Sequence, residues 1–130
     1  MTEEQKQLLV TDLCARLYHG VKVETKNGQE FLIGIEYGES FIDEDTIVKT
    51  PQFTTEEFGG RRLLHDIEEI KPYLRPMSSM TEEEYQEFGY DVLRYTPREF
   101  DWLNAHHFDY RGLIEKGLAL EAPEGMYKTE

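Results

Sequence analysis

A single cysteine, Cys14, is all the thiol chemistry in 130 residues. One thiol closes no internal disulfide and is too few for a cysteine-built zinc centre. It lies among apolar residues of a helical stretch, so it is expected to be buried filler and not a nucleophile. Basic residues are also scarce: 14 Lys and Arg stand against 27 Asp and Glu, a formal net charge of −13. Phosphate backbones and anionic lipids repel such a surface, which disfavours direct nucleic-acid and membrane-surface binding. Long apolar runs are missing. Leu8-Leu9-Val10 is far too short for a signal core or a membrane span, and the start Met1-Thr2-Glu3-Glu4 is acidic where a signal peptide is basic. A cytoplasmic, soluble protein is expected.

Aromatics are plentiful at 12%. Each buries roughly 150–250 Å², so they argue for a packed core that a disordered acidic chain lacks. The length suits one compact domain, or a small domain with a helical appendage. Charge is dispersed: residues 1–78 carry −6 and residues 79–130 carry −7. The only basic cluster is Arg61-Arg62.

Thr2 and Gln5 have the spacing of a capping box, and Leu9, Leu13 and Leu17, with Val10 and Cys14 beside them, predict an apolar helical stripe ending near Gly20. The next element is a hairpin about Asn27-Gly28. A type I turn with Gly28 as a bulge pairs Val23 with Phe31 and Val21 with Ile33, which gathers the apolar residues on one face. Gly38-Glu39-Ser40 predicts a turn, Phe41-Ile42 a strand fragment, Asp43-Glu44-Asp45 a polar turn, and Thr46 to Lys49 a strand. Pro51 and Gly59-Gly60 punctuate the next stretch, and Arg61 to Leu64 is one more strand. Short strands at this density predict a small bent antiparallel sheet, with an SH3-like barrel as one form. Asp66 to Pro76 starts as a helical turn and then runs extended.

Met77-Ser78-Ser79-Met80 reads as a linker between a helix-plus-sheet domain, residues 1–76, and a helical segment, residues 77–130, docked on it. Thr81 with Glu84 is a second capping box, leading a stripe of Tyr85, Phe88 and Val92. Thr96-Pro97-Arg98-Glu99 starts another helix, with Phe100, Leu103 and His107 on one face. A last helix is predicted over Tyr110 to Lys116, capped by Asp109 and ended by Gly117, with a frayed tail from Glu121. The fold class is α+β.

The densest chemistry lies in Asp101 to Arg111. His106 and His107 are adjacent, and helical neighbours point about 100° apart, so they are not expected to share a metal. One imidazole packing on the core and one solvated or capping is the favoured arrangement. Trp102, Tyr110 and Arg111 are residue types enriched at recognition hot spots. Asp43-Glu44-Asp45 lacks the EF-hand offsets, and Gly59-Gly60-Arg61-Arg62 lacks the flanks of a phosphate loop. No metal and no cofactor is implied.

The runs Ile70 to Glu84 and Asp101 to Ile114, with Leu13-Cys14-Ala15-Arg16-Leu17, resemble short proteins of phages and mobile elements of gut anaerobic bacteria. The resemblance covers about the C-terminal half and implies an accessory protein inside a bacterial host. It carries no catalytic residue. The reading is therefore a non-enzymatic module that binds a protein partner through Trp102, His106, His107, Tyr110 and Arg111. Two alternatives are an acidic mimic of nucleic acid directed at a basic host protein, and a small hydrolase using His106 or His107 with Asp101 or Asp109.

Overall fold

The computed structural model describes residues 1–41, 43–57, 59–88 and 97–127. Ile42, Val92 and Thr96, which figure in the predicted elements, lie outside the described residues. The chain is α+β. Helix α1 spans Glu3–Arg16, and β1 (Lys22–Thr25), β2 (Gly28–Phe41), β3 (Ile47–Glu56) and β4 (Arg62–Asp66) come next. Then come β5 (Lys71–Leu74), α2 (Glu82–Phe88), α3 (Pro97–Ala105) and β6 (Leu120–Glu121). Short 3₁₀ turns occupy Leu17–His19, Ile67–Glu69 and Met77–Ser79.

The capping box at α1 forms as its sequence predicts. Gln5 N donates to Thr2 Oγ1 at 3.1 Å, and Thr2 N donates to Gln5 Oε1 at 2.9 Å. The buried stripe differs from the predicted one. It comprises Leu9, Asp12, Leu13 and Arg16, a spacing of three, one and three residues that keeps one helical face. Cys14 falls off that face and is exposed, so it does not fill the core.

The six strands form one mixed sheet in the order β4-β3-β2-β1-β5-β6. It is open, with β4 at one edge and β6 at the other, so the SH3-like barrel is not formed. β1 and β2 pair as Thr25↔Gly28, Glu24↔Gln29, Val23↔Glu30 and Lys22↔Phe31. The loop is thus Lys26-Asn27, and the predicted Val23–Phe31 register is not adopted. Gly28 at φ 102° enters the strand, and Glu30 and Leu32 point inward in place of Phe31 and Ile33. Between Leu32 and Gly34 the β2–β3 register slips, leaving Ile33 as the extra residue. That bulge restores an inward Ile35, opposite fully buried Phe53.

The predicted turn at Gly38 is instead continuous strand, with Gly38 opposite Thr50. Pro51 sits within β3 opposite Tyr37. Its missing N–H costs no ladder bond there, because β4 pairs only with Gln52 to Glu56. Asp66 to Pro76 starts with the predicted helical turn, of 3₁₀ form over Ile67–Glu69, and then runs extended as β5.

The core joins Leu9 and Leu13 of α1 to Val21, Val23, Leu32, Phe53, Ile70 and Leu74, together with Leu113, Leu118 and Ala119 from the far end of the chain. Residues 110–117 form turns and not the predicted helix, because Gly112 inside that span adopts φ 72°, whereas Gly117, at φ 73°, does end the last turn as predicted. Asp109 does act as a cap, accepting from Leu113 N at 2.8 Å and Ile114 N at 3.0 Å. The stretch from Glu121 is tied down as far as Tyr127. Leu120–Glu121 pairs in parallel with Tyr73–Leu74, and Tyr127 Oη donates to Tyr73 O at 2.8 Å and accepts from Lys22 N at 2.8 Å.

Candidate functional site

Proline at the first position of α3 has the φ a helix start requires. The helix carries Trp102 and ends in a Schellman arrangement. Phe108 N donates to Leu103 O at 3.0 Å and His107 N donates to Asn104 O at 3.2 Å. His107 occupies the left-handed position of that motif, φ 65°, where glycine is usual. It therefore leaves the helical face predicted for Phe100 and Leu103.

The turn joins the strand side of the molecule. Arg75 N donates to His107 O at 2.7 Å and Asp109 N donates to Arg75 O at 2.8 Å. Phe108 is thereby fixed with its ring 4.2 Å from the Arg75 guanidinium. Glu84, second member of the capping box with Thr81, takes both Arg75 nitrogens at 2.6 Å. The Arg75 bonds hold the Glu84 carboxyl down at about 2, against the cost of its burial.

Trp102 continues this set of contacts. Its ring stacks on His106 at 3.9 Å, lies parallel to Phe108 at 5.8 Å and is tilted against Phe88 at 5.2 Å. Its Nε1 donates to Glu87 Oε1 at 3.2 Å. His106 Nδ1 donates to Trp102 O at 2.9 Å, which fixes the ring over the indole. Trp102 is half-buried, and it lines a groove of about 500 Å³ with Phe88, Glu87, Glu99, Asp101, Arg98, His19 and Ala105. Three carboxylates thus share the groove with one guanidinium, one imidazole and two aromatic rings.

His107, Tyr110 and Arg111 lie elsewhere. His107 stacks on Tyr127 at 3.7 Å and is buried. Burial first, then the positive charge of Arg16, pulls its imidazole down to about 3, so it is neutral. Tyr110 Oη donates to Asn104 Oδ1 at 2.9 Å and accepts from Arg111 Nη1 at 2.7 Å. Arg111 Nη1 also reaches Asp12 Oδ1 at 2.9 Å. Tyr110 and Arg111 therefore tie the C-terminal turns to α1. Among the described residues neither His106 nor His107 has Asp101 or Asp109 as a hydrogen-bond partner. Among the described residues no group of three His, Cys, Asp or Glu could hold a metal ion.

A second polar cluster lies under the sheet. Buried Glu30 accepts from Thr55 Oγ1 at 2.6 Å and from His65 Nε2 at 2.9 Å. Burial pushes that carboxyl up, but bonds from Thr55, His65 and Thr25 outweigh it and hold it below its usual range. Neither Glu30 nor the groove residues Glu87, Phe88 and His19 stand out in the sequence. They come from β2, α2 and the turn after α1, and no local spacing links them to Trp102. Comparison of the chain with protein-family models, curated proteins and solved structures finds no match.

Proposed function

We propose that the protein is a non-enzymatic interaction module that receives a cationic segment of a partner protein in the Trp102 groove. The observation that carries this reading is the lining of that groove, where Trp102 and Phe88 share one space with Glu87, Glu99 and Asp101. Cationic side chains gain from both components, from carboxylates by Coulomb attraction and from aromatic faces by cation–π contact. A net charge of −13 steers such a partner from a distance. Rigidity supports the same reading: Trp102 is held by His106, Phe108 and Glu87, so little side-chain freedom is left to lose on binding. The resemblance of its C-terminal half to phage and mobile-element proteins makes a bacterial host or phage protein the partner proposed.

Trp102 is the only tryptophan, so its fluorescence reports directly on the groove. Titration with Lys/Arg-bearing peptides should shift its emission, and Glu-bearing peptides of equal length should not. Asp101→Lys with Glu99→Lys should weaken the response by about tenfold or more, with the circular dichroism spectrum unchanged. A response equal for both peptide classes, or unaffected by charge reversal, overturns the reading.

A further inference from the structure

The edge strand β4 has a sequence that is complementary to itself. It reads Arg62-Leu63-Leu64-His65-Asp66, and it pairs with β3 without any register slip. Among the described residues no strand pairs with its other side. Sheet edges are usually blunted by proline, by a bulge or by a lysine in mid-strand, because an open ladder recruits other strands. This strand has none of these. Its charged residues stand one at each end, opposite in sign, around a leucine that is 54% exposed.

We infer that β4 is a homodimerisation edge, pairing antiparallel with β4 of a second copy about a two-fold axis at Leu64. Alternation decides which side chains meet. His65 is buried and Leu63 partly so, on the core face, whereas Arg62, Leu64 and Asp66 face away from the core and are exposed. With the axis at Leu64, Arg62 falls opposite the partner's Asp66, Leu64 opposite the partner's Leu64, and Asp66 opposite the partner's Arg62. A two-fold interface must present the same patch twice, and few five-residue sequences satisfy that with both charges matched. Directly opposed cross-strand pairs of unlike charge stabilise a ladder, and like pairs destabilise it. The existing contact of Arg62 with Glu56 is long, 3.9 Å, between exposed groups, and leaves the guanidinium able to turn to a new partner. Asp66 caps the 3₁₀ turn Ile67–Glu69, its N donating to exposed Glu69 Oε1 at 3.2 Å, so the partner's Arg62 would share a carboxylate already in use and that end of the ladder would have to exchange this bond.

The opposing force is the net charge of −13 on each copy. It acts at long range and is screened beyond about 8 Å at physiological ionic strength, whereas the paired charges sit well inside that distance. A single five-residue ladder is a small contact, so the dimer belongs to the weak, transient class.

Sedimentation velocity over a concentration series at physiological salt tests this. The wild type should pass from monomer to dimer as concentration rises. Arg62→Asp alone, and Asp66→Arg alone, each set like charges opposite one another twice, and each should weaken the dimer by about tenfold or more. An equimolar mixture of the two variants restores both unlike pairs and should sediment as a heterodimer. Leu64→Lys, which puts two cations on the axis, should also weaken the dimer and leaves the charged ends untouched. Circular dichroism shows that each variant is folded, and the Leu64→Lys arm stands if Asp66→Arg does not fold. A wild type that stays monomeric into the millimolar range, folded variants that dimerise as the wild type does, or a mixture of folded variants that remains monomeric, overturns the inference.

Discussion

The Arg16 guanidinium forks onto the Asp12 carboxylate one turn earlier in α1, at 2.8 and 3.0 Å, with both side chains fully buried. The same guanidinium donates to Phe108 O at 2.6 Å, and Arg111 adds a further bond to Asp12 at 2.9 Å. One acidic residue of the first helix thus anchors the turn at the end of α3. Burying two charges costs several kcal/mol each, and the attraction offsets this only while both partners are present. Asp12→Ala should therefore destabilise the protein by about 3–5 kcal/mol. The double variant Asp12→Leu with Arg16→Met should cost less than Asp12→Ala alone. Urea denaturation of the three proteins checks the ordering.

The Arg75–Glu84 pair gives the fold an acid-sensitive joint. Glu84 has a carboxyl at about 2 in the fold against an ordinary 4.5. A lowered carboxyl contributes stability that is complete above the unfolded value and is lost as pH falls through the folded one. The urea midpoint should therefore decline between pH 4.5 and 2, and Glu84→Gln should flatten that part of the decline. Because Arg75 also lies over the Phe108 ring, Glu84→Gln should alter Trp102 emission at neutral pH.

His107 adds a second window at higher pH. Its imidazole lies at about 3 in the fold against an ordinary 6.5, because burial and the Arg16 charge oppose protonation. Between those values the unfolded chain binds a proton that the native state refuses, so stability falls as pH drops from 6.5 toward 3. The His107 ring resonances should stay at their neutral positions on NMR titration from about pH 7.5 to about 4.5. A midpoint near 6.5 for that ring would contradict the burial argument.

Local chemistry is readable from the sequence, and long-range pairing is not. The capping boxes at Thr2–Gln5 and Thr81–Glu84, the proline start of α3 and the turn before β5 each depend on residues within a few positions of one another. The β1–β2 register does not. It depends on Gly28 taking a positive φ after a two-residue loop, which sets Glu30 rather than Phe31 on the inner face, and the Ile33 bulge acts only beyond that point, in the β2–β3 ladder. Alternation alone rejects an inward glutamate, and only Thr55, His65 and Thr25 from three other strands make it tolerable. Asp12 and Arg16 likewise sit at core positions of α1 that hydrophobic periodicity passes over. Trp102 is evident as a candidate from its residue type and its neighbours. Its groove is not, because Phe88, Glu87 and His19 come from α2 and the turn after α1.

Two glycines of β2 separate backbone strain from steric contact. Gly28 has φ 102° and nothing within 4 Å of an added Cβ. Gly38 has an ordinary strand backbone, but its Cβ would meet Gln52 Cδ at 2.9 Å. The obstacle at Gly38 is the far end of a flexible side chain, and Gln52 is only partly buried, so it can rotate away. The obstacle at Gly28 is the backbone itself, and it cannot be relieved without changing the hairpin loop that sets the sheet register. Gly28→Ala should therefore cost about 1–3 kcal/mol, and Gly38→Ala less than about 0.5 kcal/mol. Thermal melts of the two variants give the comparison, and an equal loss at both sites would mean that contact, not φ, governs this ribbon.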